Sequence, residues 1–299
     1  MNRTTKMKKY PPSIWMIAIF TCLLIGCNRD SSGPLDLKLD VGAHSLHLVC
    51  VGQGSPTVVL DTGSGETYES WQSIIDGIAK ETRVCAYDRA GYGQSEPGPL
   101  PRDSGRETEE LALLLNKAGI KGPYILVGHS LGGLNMQVFA GKYPDQVAGM
   151  LLLDPPPLEW LSGGSFPELR EMFLQQAEAL QSQSAAARSS KDPQARTQAN
   201  FLAMVASEMT EMFTGSIQQA VGIKSFGDIP LTVIASTQVN PNFGASAQTY
   251  QSFWIAQSKQ LAEKSTRGKF LLAEGSSHHI HLDAPNLVLD ALRELIMNN

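Results

Sequence analysis

The sequence contains no internal repeat, no H-E-x-x-H and no Cys/His pair spacing of the kind that clusters around zinc, so no metal cofactor is implied. Gly63-Ser-Gly65 lacks the rest of a phosphate-binding fingerprint, which removes the case for a nucleotide cofactor. Beyond the first ten residues, the basic side chains form no cluster. Only 18% of the 299 residues are charged and the formal net charge is −5. An acidic body without a basic patch argues against nucleic acid as a partner. The apolar run Ile14 to Gly26 is too short to span a membrane comfortably. What remains is a 42% hydrophobic chain, long enough for one large α/β domain with an insertion.

The first residues stand apart from that domain. Arg3, Lys6, Lys8 and Lys9 precede the apolar run, which ends in Leu24-Ile-Gly-Cys27. The ending resembles the lipobox of bacterial lipoprotein signal peptides. That resemblance implies cleavage of residues 1–26, a lipid on Cys27 and a polar tether over 27–34. The domain would then sit at the membrane of a cell envelope, with no spanning helix. Losing those four basic side chains moves the net charge from −5 to −9.

Strand and helix patterns alternate through the rest of the chain. Strands are predicted at Leu35–Val41, Ser45–Val51, Thr57–Asp61, Arg83–Tyr87, Tyr124–Val127, Val147–Leu153, Pro230–Ala235 and Lys269–Ala273. Helices are predicted at Tyr68–Lys80, Asp103–Ala118, Leu131–Tyr143, Ala247–Lys264 and Asn286–Met297. Such alternation indicates a mostly parallel sheet with helices on both faces. Between 158 and 227 the texture changes to Gln, Ala, Ser and Met, with helical stretches Pro167–Gln183 and Pro193–Phe213. This reads as a helical cap, with an exposed bend at Ala185–Ser190. The core is then 35–157 together with 228–299. Met172, Phe173, Met204, Met209, Met212 and Phe213 either line a pocket under the cap or pack it down.

Chemistry concentrates at Gly128-His-Ser130-Leu-Gly132, between a predicted strand and a predicted helix. Strand, tight turn, serine, helix is the order of a nucleophile elbow, in which the helix N–H groups face a developing oxyanion. The bland alternative is a glycine-rich turn with Ser130 as a helix N-cap. Three further segments fall in step: Thr62-Gly-Ser-Gly-Glu66 after the third strand, Asp88-Arg-Ala-Gly-Tyr-Gly-Gln-Ser95, and Gly275-Ser-Ser-His278 after the last.

Together these four segments resemble the serine branch of the α/β-hydrolases, over nearly all of residues 35–299. The resemblance implies an eight-stranded, mostly parallel sheet in the order 1-2-4-3-5-6-7-8, with the second strand antiparallel. In that order the strand of Cys50 lies beside the strand of Cys85. The two remain after Cys22 and Cys27 are assigned to the leader and its lipid, so a disulfide suits an exported chain; the alternative is two buried thiols.

A serine hydroxyl needs a base within hydrogen-bond reach. His44 and His47 lie in the first hairpin, at the wrong edge, and His129 should project into the packing beside the elbow. His278 matches the family's position for the base, with His279 as fallback and His281 in the loop to the final helix. Family members usually supply the acid after the seventh strand, but Ser236–Thr249 holds no Asp or Glu. Asp154, after the sixth strand, is the candidate, unless it only caps that strand and the site is an acid-free dyad; Asp228 sits at the opposite sheet end. The oxyanion hole would use the N–H groups of Leu131 and Ser64. Asp88 and Arg89 read as a structural loop at an exposed edge, tied by its own charges. The expected activity is hydrolysis of a carboxylic ester or related acyl bond of a small molecule. Alternatives are a non-catalytic binding lipoprotein, or acyl transfer or perhydrolysis by the same residues.

Overall fold

The computed structural model describes residues 34–298. The expected leader, its Cys27 and the expected tether up to residue 33 lie outside the described residues. Eight strands, β1 (Leu35–Asp40), β2 (Ser45–Val51), β3 (Thr57–Asp61), β4 (Val84–Asp88), β5 (Tyr124–His129), β6 (Val147–Leu153), β7 (Leu231–Ser236) and β8 (Gly268–Ala273), form one sheet. Their order is β1-β2-β4-β3-β5-β6-β7-β8. β2 runs antiparallel to both β1 and β4, and the other neighbours are parallel. This is the α/β-hydrolase topology that the resemblance implied.

Strands β3, β5 and β6 are buried at every position, which is why they read as unbroken apolar runs. On one face, α1 (Gln72–Ile78) and the last helix bring Ile74, Ile78, Val288 and Leu292 onto Val58, Ile125 and Leu151. On the other, α2 (Ser104–Lys117) and α3 (Leu131–Lys142) bring Leu111, Leu114, Met136 and Phe139 onto Val59, Leu126 and Leu152. Helix α2 starts at its Asp103 cap, whose carboxylate accepts the Arg106 N–H at 2.9 Å. Cys50 and Cys85 are directly paired across β2 and β4 and form a disulfide.

After β6 come α4 (Leu158–Leu161), α5 (Pro167–Arg188), α6 (Pro193–Met212) and α7 (Gly215–Val221). Prolines open both α5 and α6, where the missing N–H costs nothing. Helix α5 runs beyond Gln183 to Arg188. The expected bend at Ala185–Ser190 shrinks to its last residues because three successive alanines are the best helix formers available. Helices α8 (Ala247–Ala262), α9 (Ile280–Asp283) and α10 (Pro285–Met297) complete the chain. Trp160 of α4 meets Phe173, Phe213, Tyr250 and Trp254 at ring separations of 5.1–6.1 Å, joining the insertion to α8. Among the described residues no helix is long and apolar enough to cross a membrane.

The Asp88-Arg89 segment does not sit at an exposed edge. Arg89 is 1% exposed and turns inward. Its guanidinium meets Asp61 at 2.8 Å and Glu208 of α6 at 3.0 Å, and donates to the carbonyls of Thr62 and Gly63 at 2.7 and 2.8 Å. Asp88 pairs instead with His47, at 2.9 Å. A buried guanidinium must be neutralised and fully hydrogen-bonded, and Glu208 contributes that from the insertion. Burial opposes the charge on Glu208, but Arg89 holds its carboxyl below the usual range. Nearby Glu107 is pushed up by burial and by the Glu208 charge.

Glu208→Ala leaves Arg89 short of a buried partner and should cost about 3–5 kcal/mol of unfolding free energy. Urea titration checks it, and a variant as stable as wild type would refute the assignment. Removing the disulfide, by Cys50→Ala with Cys85→Ala, reopens a loop of 35 residues. It should lower stability by about 3–4 kcal/mol. A urea midpoint unmoved by strong reductant would contradict that.

Candidate active site

Ser130 joins β5 to α3 at φ +50° and ψ −119°, a backbone conformation that L-residues rarely adopt. The neighbouring glycines make the turn feasible. A Cβ on Gly128 would stand 2.3 Å from the Gly132 carbonyl oxygen, and one on Gly132 would stand 2.4 Å from that of Asp61. The Ser130 N–H donates to the Leu153 carbonyl at 3.0 Å, and the Gly132 N–H to Thr62 at 3.1 Å. Ser130 is half-buried and faces a cavity of about 970 Å³.

Asp154 follows β6, also with positive φ, +48°, and is 2% exposed. One carboxylate oxygen accepts the Ser236 N–H at 3.0 Å; the other accepts the Ser236 hydroxyl at 2.7 Å and lies 2.8 Å from His278 Nδ1. Gln251 in turn donates to the Ser236 carbonyl at 2.8 Å. Ser236, the last residue of β7 and the first of the segment that lacks an acid, therefore supplies a hydroxyl and a backbone N–H to Asp154. A carboxylate only accepts, so Nδ1 of His278 carries a proton and Nε2 of the neutral ring is left with a lone pair. His278 and Ser130 line the same cavity.

Ser64 also lines it. The Gly63 carbonyl is held by Arg89, and across a trans peptide the Ser64 N–H points the opposite way. The Ser64 hydroxyl donates to Glu208 at 2.9 Å, and the Gly65 N–H to the Tyr92 hydroxyl at 3.1 Å. Among the described residues, neither the Ser64 nor the Leu131 N–H has a hydrogen-bond partner. Leu131 directly follows Ser130, its side chain packed among apolar neighbours of the insertion. Both N–H groups are thus open to an incoming acceptor.

The other histidines separate by place. His44 and His47 lie by the β1–β2 hairpin, and Asp228 is exposed ahead of β7. His129 is buried yet lines the cavity, where packing alone was expected of it. The sharp turn swings its ring toward the loop after β8: its Nε2 donates to the His278 carbonyl at 2.9 Å, and Nδ1 lies 3.2 Å from Glu66. Burial pushes His129 down, and takes fully buried His281 to about 3. His279 is raised by its contact with Glu66, 3.3 Å away. Glu66 and Glu208 escaped the sequence reading. Glu208 left little signal, because the stretch Met204–Met212 holds two carboxylates, Glu208 and Glu211, and nothing in the sequence marks the first as the buried one.

Of the six Met and Phe candidates in the insertion, Met172, Phe173, Met209 and Met212 line the cavity. Met204 and Phe213 pack: Met204 against Gly91, Phe213 against Trp160.

Comparison with known proteins agrees with this fold. The chain is 27% identical to the uncharacterized Bacillus subtilis protein YqjL over 237 residues, 79% of this chain and 82% of that one. It is 36% identical to the lipase LipV of Mycobacterium tuberculosis over 111 residues, 37% of this chain and 41% of the lipase. A thermophilic esterase from Thermogutta terrifontis superposes with a TM-score of 0.66 at 20% identity, covering 88% of this chain and 98% of the esterase. An ancestral haloalkane dehalogenase superposes with a TM-score of 0.67 at 15% identity, over 88% and 98% of the two chains, so the likeness is one of fold. The alpha/beta hydrolase fold family matches residues 56–285, and the chain belongs to that family.

Proposed function

We propose that the protein is a serine hydrolase that cleaves a carboxylic ester, or a related acyl bond, through an acyl-enzyme on Ser130. The observation that carries this reading is the 2.8 Å contact of His278 Nδ1 with Asp154, made at the wall of the cavity that Ser130 faces. The serine oxygen attacks the acyl carbon while its proton passes to His278 Nε2. His278 then protonates the departing alkoxide, and the alcohol leaves. Water, deprotonated by the same nitrogen, attacks the acyl carbon; the bond to the Ser130 oxygen breaks, the acid is released, and His278 returns the proton to Ser130. Asp154 fixes the ring and stabilises its charged form, as Ser236 fixes Asp154. The Ser64 and Leu131 N–H groups receive the negative charge that grows on the acyl oxygen.

Two further features favour this chemistry over other reactions run on the fold. The residue at the elbow is an alcohol, whereas an alkyl-enzyme route would call for a carboxylate there. The cavity wall carries Phe173, Phe201, Leu180, Met209 and Trp254, which suits an ester with a hydrocarbon acyl or alkoxy part. The 36% identity to the lipase LipV over 37% of this chain supports the same reading.

A fluorophosphonate probe should label the wild type, and Ser130→Ala should abolish both labelling and turnover of p-nitrophenyl acetate and butyrate. Unchanged labelling or turnover in S130A would overturn the proposal, and a wild type that shows neither would favour a binding role. Asp154→Asn should lower kcat on the order of 10⁴-fold with KM little changed, since the carboxamide favours the wrong tautomer. A loss under tenfold would point to a Ser–His dyad.

A further inference from the structure

Beside the residues assigned to acyl chemistry lies a second cluster to which that chemistry gives no work. Glu66, His129 and His281 present a carboxylate oxygen and two ring nitrogens within 4.8 Å of one another, and His279 joins them from the cavity side. We propose that Glu66, His129 and His281, with His279 as fourth ligand, form a binding site for a divalent transition metal of the Zn²⁺ class.

The spacing is the first argument. Around a tetrahedral Zn²⁺, with bonds of about 2.0–2.1 Å, neighbouring ligand atoms stand about 3.3–3.4 Å apart. Here His129 Nδ1 and His279 Nε2 lie 3.2 and 3.3 Å from Glu66 Oε1, and His281 Nε2 lies 3.7 Å from Oε2. Proton bookkeeping is the second. His129 spends its N–H on the His278 carbonyl through Nε2, which leaves Nδ1 of the neutral ring with a lone pair directed at a carboxylate. Two acceptors face each other at contact distance, an arrangement that a cation between them would make favourable. His281 is the third. It is fully buried, packed against the Trp71 ring at a centroid separation of 4.5 Å, and among the described residues neither ring nitrogen has a hydrogen-bond partner. A buried imidazole without a partner is costly, and metal ligation would satisfy it.

The surroundings are those of a ligand set held from outside. Metal-bound histidines commonly donate their other N–H to a backbone carbonyl, as His129 does, and ligating carboxylates are themselves hydrogen-bonded. Glu66 Oε2 accepts from the Ser70 hydroxyl at 3.2 Å and from the Gly63 N–H at 3.4 Å. Glu66, His129 and His279 all line the large cavity, which gives an ion a path in. A metal here would tie the loop after β3 to the elbow and to the loop carrying His278. Three imidazoles and one carboxylate suit Zn²⁺, Co²⁺ or Ni²⁺ better than Mg²⁺ or Ca²⁺.

The test uses the tag-free protein, stripped with chelator and titrated with Zn²⁺ by calorimetry and with Co²⁺ by visible absorption. One ion per chain is expected, with the intense bands of four-coordinate Co²⁺. Glu66→Gln and His129→Gln should each weaken binding by about 10–100-fold or more and bleach the bands, while His278→Ala leaves both unchanged. No saturable binding overturns the proposal. So does binding that survives E66Q and H129Q, or binding lost in H278A, which would place the ion on His278 and Asp154. If a variant fails to fold, X-ray absorption of the Zn²⁺-loaded wild type decides: three imidazoles support the site, and one or none overturns it. These readouts are metal content and spectrum, independent of whether Ser130 forms an acyl-enzyme.

Discussion

A residue with a Cβ enters the backbone conformation seen at Ser130 at a cost of about 1–3 kcal/mol, and it keeps that conformation only where its surroundings hold it. Here they hold it from both sides. The Ser130 N–H is fixed to the end of β6 through Leu153, and the Gly132 N–H to the end of β3 through Thr62. The strand ends flanking β5 therefore clamp the turn, and nothing larger than hydrogen at Gly128 or Gly132 would let the chain pass. With the turn in place, the β5–α3 junction places Ser130, the open N–H of Leu131 and the ring of His129 within one short segment. The loops after β3, β6 and β8 then converge on it.

A second constraint acts from below that edge. Arg89 is buried among Asp61, Glu107 and Glu208, and it also holds the carbonyls of Thr62 and Gly63. Because those carbonyls are held, the N–H of Ser64 is directed away from Arg89. Glu208 reaches the same loop through the Ser64 hydroxyl and through Tyr92, at 2.9 and 2.6 Å. The insertion is thus more than a cover over the cavity. A carboxylate on α6 helps to neutralise buried Arg89 and steadies the loop facing Ser130.

Some of the site was legible because its signals are local. The Gly-x-Ser-x-Gly spacing announces a strand, a sharp turn and a helix within ten residues, and the structure has all three. His278 was reached through a short segment at the end of a strand. Asp154 was harder: the sequence showed an acid after β6 and none after β7, but not that Ser236 would turn both its N–H and its hydroxyl to the carboxylate. Arg89 was misread because an Asp-Arg dipeptide suggests a local ion pair. Each partner went elsewhere, Asp88 to His47 and Arg89 to residues 28 and 119 positions away.

By itself the sequence determined the fold class, the strand order through its family resemblance, and the strained turn. Periodicity and glycine placement act over a few residues and survive without knowledge of the rest of the chain. Tertiary structure alone decided which charges are buried together, which N–H groups stay open, and that Glu66 meets three histidines from two other segments. Those outcomes depend on distances between residues far apart in the chain. Burial then gives them their force, because a charge or lone pair removed from water must find its partner wherever the fold has placed one.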